Sequence, residues 1–208
     1  MNFGLVVEGH GEVQAAPLLV RRIAAWVGHD SALAIPNPLR VHRSSVVKEG
    51  ELERAVELVA RQVGPDGAIL VLLDADDDCA AALGPALLGR AKAARSDRRI
   101  GVVLAVSEYE AWFLAAAESL RGYRTLPDDL SSPAEPESIR GAKGWLDARM
   151  LDGYAETIDQ AKLTARFDLE RARSARSFDK FLREVCKLLG RDTPGALSQR
   201  VEESADEP

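Results

Sequence analysis

Residues 68–78 read AILVLLDADDD, and the fold class follows from this stretch. Ala68–Leu73 is a continuous aliphatic run, which is typical of a parallel strand that helices cover on both faces. The run follows the turn residues Pro65-Asp66-Gly67 and leads directly into a cluster of aspartates. It therefore predicts an internal strand whose carboxyl end carries carboxylates.

Shorter apolar runs occur on both sides of this strand and alternate with helical patterns. They predict further strands over Phe3–Val7, Leu39–His42 and Ile100–Val106. Apolar residues at helical spacing predict helices over Glu51–Val63, Cys79–Ala94 and Ala111–Leu120, and another after Gly11 whose buried face carries Leu18, Leu19, Ile23, Trp26 and Val27. This alternation predicts an α/β fold with a four-stranded, mainly parallel sheet flanked by helices.

The pattern changes after residue 122. A proline-rich segment over residues 127–137 predicts a loop, and the chain beyond it shows only helical periods, over Trp145–Met150, Ala155–Leu163 and Asp168–Leu189. We predict an α/β domain over residues 1–122 and a helical extension over residues 123–200 that packs on it. Residues 201–208 contain four acids and little apolar surface, which predicts a disordered acidic tail.

Composition excludes several classes of protein. The chain has 208 residues, 46% of them hydrophobic and 29% charged, which suits one domain with a real core. It has no apolar run of the roughly 18 residues that a membrane helix needs, and no basic segment precedes an apolar run at its N-terminus. Cys79 and Cys186 are far apart in the sequence, which favours neither a disulfide framework nor a zinc site. We expect a cytoplasmic protein.

Charge is distributed unevenly along the chain. The net charge of −6 argues against nucleic-acid binding through bulk positive charge. Residues 139–200, however, carry 13 Lys or Arg and 9 Asp or Glu, whereas residues 1–138 carry 14 and 20. The acids therefore concentrate around the predicted sheet, and the bases concentrate in the helical extension.

Carboxylates follow three of the predicted strands. Because parallel strands end at one edge of a sheet, we expect these side chains to lie near one another: Glu8, Glu12, Asp74, Asp76, Asp78, Glu108 and Glu110. Asp74 and Asp76, separated by one residue in extended backbone, should point to the same side. An all-oxygen ligand set with few histidines favours Mg²⁺ or Mn²⁺. Lys143, in the basic segment, is our candidate for stabilising negative charge during a reaction.

Two motifs resemble a known domain. The sequence Val6-Val7-Glu8-Gly9 after the first strand, with Leu73-Asp74-Ala75-Asp76 after a later one, looks like the Toprim domain of topoisomerases, primases and overcoming-lysogenisation-defect nucleases. The string VEGHGEVQAAP at residues 7–17, with SEYEAWF at residues 107–113 and RSFDKF at residues 176–181, is similar to the bacterial family called domain of unknown function 4276. The first resemblance covers about 120 residues, and the second covers nearly the whole chain.

The Toprim resemblance implies a site and an activity. It implies that Glu8 is a general acid or base or a metal ligand, that Asp74 and Asp76 bind metal, and that Glu12 and either Glu108 or Glu110 add further ligands. The implied function is Mg²⁺-dependent hydrolysis of phosphodiester bonds in DNA or RNA. Lysogeny-type nucleases are fused to an ATPase, and this chain has no GxxxxGK[ST] motif, so the resemblance implies a separate ATPase partner in phage defence or DNA repair.

Two other functions remain open from the residues alone. The carboxylates are also compatible with a non-catalytic metal-binding or interaction module, and with a phosphohydrolase that acts on small molecules. Four residues of the extension are compatible both with lining the crevice and with helix packing, and the sequence alone does not distinguish these roles: Tyr154, Asp159, Gln160 and Thr164. The sequence leaves the oligomeric state open, including a homo-oligomer.

Overall fold

The predicted strands form one parallel sheet in the computed structural model, which describes residues 1–195. Strand β1 spans Phe3–Val7, β2 spans Leu39–Arg40, β3 spans Ala68–Asp74 and β4 spans Arg99–Ala105. Their order across the sheet is β2-β1-β3-β4, and every neighbouring pair is parallel. The predicted α/β class and four-stranded sheet are confirmed.

Helices connect the strands and form the rest of the described chain. They are α1 (Glu12–Trp26), α2 (Arg43–Val46), α3 (Glu51–Val63), α4 (Ala80–Ala94), α5 (Ala111–Ala115), α6 (Ala142–Asp147), α7 (Glu156–Thr164), α8 (Leu169–Ala172) and α9 (Arg176–Leu189). Short 3-10 turns occur at Ala117–Leu120 and Pro136–Ser138. Within residues 1–195, none of the helices has both the length and the apolar character required to cross a membrane.

Each face of the sheet packs on its own layer of helices. Side chains alternate along a strand, so Leu70 and Leu72 of β3 pack with α1 and α9, whereas Ile69 and Val71 pack with α3 and α4. Because both faces are covered, every residue of β1 and β3 is buried. This arrangement leaves the carboxyl edge of the sheet accessible to polar chemistry.

An aromatic cluster joins the C-terminal helices to the sheet layer. Trp112 of α5 lies 5.4 Å from Phe178 of α9, measured between ring centroids, and Phe113 lies 5.5 Å from Phe167. One buried cluster thus contains residues from both the predicted α/β domain and the predicted helical extension. The boundary between them at residue 122 stays a prediction. The predicted tail over residues 201–208 lies outside the described residues.

Several predicted details of the elements are wrong. In α1, Leu18 is only half-buried and Trp26 is 37% exposed. The face of this helix that packs on the sheet includes small residues such as Ala16, which the prediction had left out. Strand β2 has two residues instead of four, and the short helix α2 was not predicted.

Candidate functional site

The carboxyl ends of β1 and β3 bring Glu8 and Asp74 together. The two strands are neighbours, and Val7 at the end of β1 pairs with Leu72 of β3. The backbone N–H of Asp74 donates a hydrogen bond of 3.3 Å to Oε2 of Glu8. The Glu8 carboxylate therefore lies against the backbone of Asp74, 66 positions later in the sequence, at the sheet edge.

Glu12 holds the loop that follows β1. Its Oε2 accepts the backbone N–H groups of Glu8 at 3.0 Å and Gly9 at 2.7 Å, and its side chain is buried. Glycine is needed at position 9, because a Cβ atom there would lie 2.8 Å from carboxylate oxygens of both Glu12 and Glu156. The Glu12 carboxylate thus fixes the loop conformation and places negative charge beneath it.

Asp74 points inward from the end of β3. Its Oδ1 accepts the backbone N–H of Tyr109 at 2.9 Å, which ties the end of β3 to the loop after β4. Burial raises the pKa of Asp74 well above its usual value, and the nearby charges of Glu12 and Glu110 act in the same direction. Lys143 opposes this shift but does not cancel it.

Asp76 and Asp78 point outward and share one arginine. Arg43 of α2 donates from Nη1 to Oδ2 of Asp76 at 2.7 Å and from Nη2 to Oδ2 of Asp78. The expectation that Asp74 and Asp76 point to the same side is wrong. It assumed extended backbone, whereas Asp76 has φ of +47° in a tight turn, and the two carboxylates bind different partners.

Glu8 and Asp76 nevertheless line one cavity at the outer side of this edge. The cavity measures about 450 Å³ and also includes Arg43 and Asp78 in its lining. Burial raises the pKa of Glu8, and the charges of Asp76 and Glu12 add to the shift, whereas the N–H of Asp74 and the charge of Arg43 oppose it. Glu8 thus lies between an inner and an outer group of carboxylates.

Glu108 and Glu110 face different surroundings. Oε2 of Glu108 accepts the backbone N–H of Lys143 at 3.1 Å, at the start of α6. Glu110 is fully buried, and its Oε1 accepts hydrogen bonds from the Tyr154 hydroxyl at 2.8 Å and from Nε2 of Gln160 at 3.1 Å. Its Oε2 has no hydrogen-bond partner within residues 1–195, and burial raises its pKa to about 7.

Lys143 provides positive charge to the inner carboxylates. Its Nζ lies 3.0 Å from Oε2 of Glu156, the first residue of α7. Burial alone would lower the pKa of Lys143, but Glu110, Glu156 and Asp74 together raise it, so the side chain stays charged. The other oxygen of Glu156 accepts the backbone N–H of Gly11 at 3.1 Å, which links α7 to the loop after β1.

Two side chains at this edge, Arg43 and Glu156, were missed by the sequence reasoning. Both lie in segments without an acidic strand end, so nothing in their local sequence distinguishes them from surface charges. Tyr154 and Gln160 contact the buried Glu110. Thr164 instead contacts the buried Tyr109 hydroxyl, and Asp159 pairs with Arg124. These last two contacts stabilise the packing of α7 rather than line the crevice.

The donor chemistry of this edge fits a hard divalent cation, because carboxylate oxygens are the ligands that Mg²⁺ prefers. The described carboxylates, however, are not all positioned to bind one ion. Among residues 1–195, no group of three or more His, Cys, Asp or Glu side chains is arranged to hold a metal ion. Glu8 and Asp74 are adjacent, but Asp76 would have to leave Arg43 before it could join them. The metal-binding roles of Glu12, Asp78, Glu108 and Glu110 stay predictions.

Comparison with known proteins identifies a family for this chain. Neither the curated proteins nor the solved structures include a match to this chain. A family model described as a domain of unknown function matches residues 7–185, a span that includes both strand-end carboxylates and the helices that pack beside them. The chain belongs to the DUF4276 family.

Proposed function

We propose that this protein is a Mg²⁺-dependent phosphodiesterase of the Toprim type that acts on nucleic acid. The observation that carries the proposal is the contact between Glu8 and Asp74 at the ends of neighbouring parallel strands, where the Asp74 N–H donates to Glu8. Open parallel sheets bind their ligands at this edge. The Toprim resemblance of the Glu8 and Asp74-Ala75-Asp76 motifs supports the same assignment.

The charge balance of the edge supports a cation there. Four carboxylates, those of Glu12, Asp74, Glu110 and Glu156, lie around Lys143, and Glu8 lies beside Glu12 and Asp76. Like charges that are gathered in partly buried positions are costly unless positive charge neutralises them. A divalent cation at Glu8 and Asp74 would supply that charge and would activate a water molecule as a nucleophile.

The residues of the chain have distinct tasks in this proposal. Glu8 and Asp74 would hold the ion, and Asp76 would join them after release from Arg43. Lys143, fixed by Glu156, keeps its positive charge beside the reacting phosphate and stabilises the negative charge that develops on it. Glu12 takes no part in proton transfer, since it holds the loop through two backbone N–H groups.

The metal-binding part of the proposal can be tested on the isolated chain. Titration with Mn²⁺, followed by electron paramagnetic resonance, should show binding that Asp74→Asn and Glu8→Gln each weaken by at least about tenfold, because each removes a charged ligand. Asp30→Asn is the matched control, since Asp30 is exposed and far from the strand ends in sequence. Wild-type affinity for Mn²⁺ in Asp74→Asn would contradict the proposal.

The catalytic part needs nucleic acid and, we propose, a partner. The isolated chain should cleave labelled DNA or RNA weakly in Mg²⁺, and a separate ATPase encoded nearby, in a phage-defence or repair operon, should increase the rate. Cleavage should disappear in Asp74→Asn and persist in Asp30→Asn. Cleavage that survives Asp74→Asn would show that the nuclease site lies elsewhere.

A second candidate function is favoured by Arg43. Its two contacts pair Asp76 and Asp78 with one positive charge supplied by the chain itself, as expected of a non-catalytic interaction module with a structural salt bridge. Glu8→Gln separates the two functions. The phosphodiesterase loses its biological activity in this variant, whereas the interaction module retains it.

A further inference from the structure

A second cavity lies beside the carboxylate edge, between α9 and the start of α4. It measures about 550 Å³, and Arg176, Lys180 and Arg183 of α9 contribute to its lining. Residues 78–81, which lead into α4, and Leu104 of β4 also line it. Three basic side chains thus converge on one cavity in a protein whose net charge is negative.

Two of these basic side chains lack an acidic partner. Within residues 1–195, the side chains of Arg176 and Lys180 make no hydrogen bond or ion pair, whereas Arg183 is paired with Asp179 at 3.0 Å. Lys180 is also only partly exposed, which is unusual for an unpaired lysine. The cavity therefore contains positive charge that the described chain leaves unneutralised.

The acids that border this cavity are engaged with other groups. The carboxylate of Glu137 accepts the backbone N–H groups of Arg176 and Ser177, each at 2.9 Å, at the start of α9. Asp78 is held by Arg43. Neither acid is hydrogen-bonded to the side chain of Arg176 or Lys180, and the basic side chains in the lining outnumber the acids, so the cavity favours an anionic ligand.

Lys180 is positioned against α4 by a glycine. A Cβ atom built at Gly84 would lie 3.3 Å from the Lys180 Nζ, so the absence of a side chain there makes room for the ammonium group. Helix α4 starts at Ala80 without a side-chain cap, and its first N–H groups add to the positive potential that Arg176 and Lys180 create.

The basic cavity borders the outer cavity of the carboxylate edge. Asp78 lines both this cavity and the outer cavity that contains Glu8 and Asp76. Because Asp78 borders both cavities, a ligand with a repeating series of phosphates can extend from one into the other, whereas a single phosphate can occupy only one.

We propose that the cavity between α4 and α9 is a phosphate subsite, in which Arg176 and Lys180 bind a backbone phosphate of a nucleic-acid strand. The neighbouring phosphodiester of that strand lies at the carboxylate edge, a placement that rests on the proposed function. The subsite explains how an acidic protein holds an anionic polymer, since contacts between phosphates and Lys or Arg provide most of such affinity.

The test uses the full chain and a short fluorescein-labelled single-stranded DNA, with binding measured by fluorescence anisotropy in EDTA. The variant Arg176→Gln/Lys180→Gln should bind about tenfold more weakly and should show a shallower salt dependence, by about 0.7 in slope for each phosphate that it no longer binds. Arg176→Lys/Lys180→Arg, which preserves both charges, should bind within about threefold of wild type.

The matched control is Arg21→Gln/Lys92→Gln. It removes the same charge from two exposed positions outside the cavity and should leave affinity within about twofold of wild type. Equal affinities of the cavity variant and this control variant would overturn the subsite. A mononucleotide that binds as tightly as the DNA strand would overturn its assignment to a polymer.

The subsite and the proposed function fail in different ways. If Mn²⁺ binding and cleavage depend on Glu8 but the cavity variant binds DNA like wild type, the subsite is wrong and the function stands. If the cavity variant loses DNA binding in EDTA but the wild type neither binds Mn²⁺ nor cleaves, the subsite is supported and the phosphodiesterase proposal is wrong.

Discussion

The carboxylates at the sheet edge form an inner and an outer group with different surroundings. Glu12, Asp74 and Glu110 form the inner group and are buried. Asp76 and Asp78 form the outer group, and their side chains are 58% and 62% exposed. Both groups come from the same sequence feature, acids that follow a buried parallel strand.

The inner and outer carboxylates also differ in the positive groups that lie beside them. Arg43 pairs directly with both outer acids, whereas the inner acids share Lys143 and backbone N–H groups. Burial consequently raises the pKa of each inner carboxyl. Acidic strand ends therefore identify an edge of the sheet but not which of its acids need a cation, because burial and the available partners determine that need.

The largest expected effect concerns Glu110 and pH. Burial raises the pKa of Glu110 to about 7, above the ordinary 4.5 of the unfolded chain. Its contribution to stability is therefore fully present below pH 4.5 and is lost as the pH rises through 7. The free energy of unfolding should fall by up to about 3 kcal/mol from this group, measured by urea denaturation. Glu110→Gln should flatten the pH profile between pH 5 and 8.

Glu53 is the matched control for this pH profile. A hydrogen bond from Arg90 lowers the pKa of Glu53 to about 2. Its contribution is present above its ordinary pKa and is lost only as the pH falls toward 2, so Glu53→Gln should leave the profile between pH 5 and 8 unchanged. An unaltered slope in Glu110→Gln would mean that burial does not raise the pKa of Glu110 in the folded protein.

The next effect concerns the cation of the inner group. Lys143→Met should lower the free energy of unfolding at pH 8 by about 1–3 kcal/mol, because Glu110 and Glu156 lose their positively charged partner. The side chain of Lys143 is 36% exposed, and solvent screening limits this loss. The loss should shrink at pH 5, where Glu110 is protonated. Lys92→Met, at an exposed position, should change stability by less than about 0.5 kcal/mol. Equal losses in both variants would contradict this role.

The smallest expected effect on stability is at the outer group. Arg43→Gln should cost no more than about 1 kcal/mol in urea denaturation, since its partners are largely exposed. The same variant should bind Mn²⁺ more tightly than wild type, because it releases Asp76 beside Glu8. Arg54→Gln, which breaks an exposed pair on α3, controls for the loss of charge. A large destabilisation without tighter Mn²⁺ binding would favour the interaction module.

The sequence was sufficient for the architecture because the architecture depends on local patterns. The aliphatic run of Ala68–Leu73 and the helix over Glu51–Val63 were predicted to within a residue. The meeting of Glu8 and Asp74 followed from the geometry of parallel strands. These features need only hydrophobic periodicity and the rule that parallel strands end at one edge.

The sequence was insufficient where long-range contacts decide the outcome. The outward turn of Asp76 depends on a positive φ and on Arg43, 33 residues earlier in the chain. Glu156 accepts a hydrogen bond from the backbone N–H of Gly11, which lies 145 positions earlier in the sequence. The sequence also does not determine which face of α1 is buried. One side of this helix carries small residues and another carries large ones, and only the shape of the sheet decides which side packs on it.

The most direct test of the central claim is a crystal soaked in Mn²⁺ and measured for anomalous scattering. We predict a peak between the ends of β1 and β3, within coordination distance of carboxylate oxygens of both Glu8 and Asp74. A map without a peak there, with Arg43 still bound to Asp76 and Asp78 at saturating Mn²⁺, would contradict the claim that this edge holds a divalent cation.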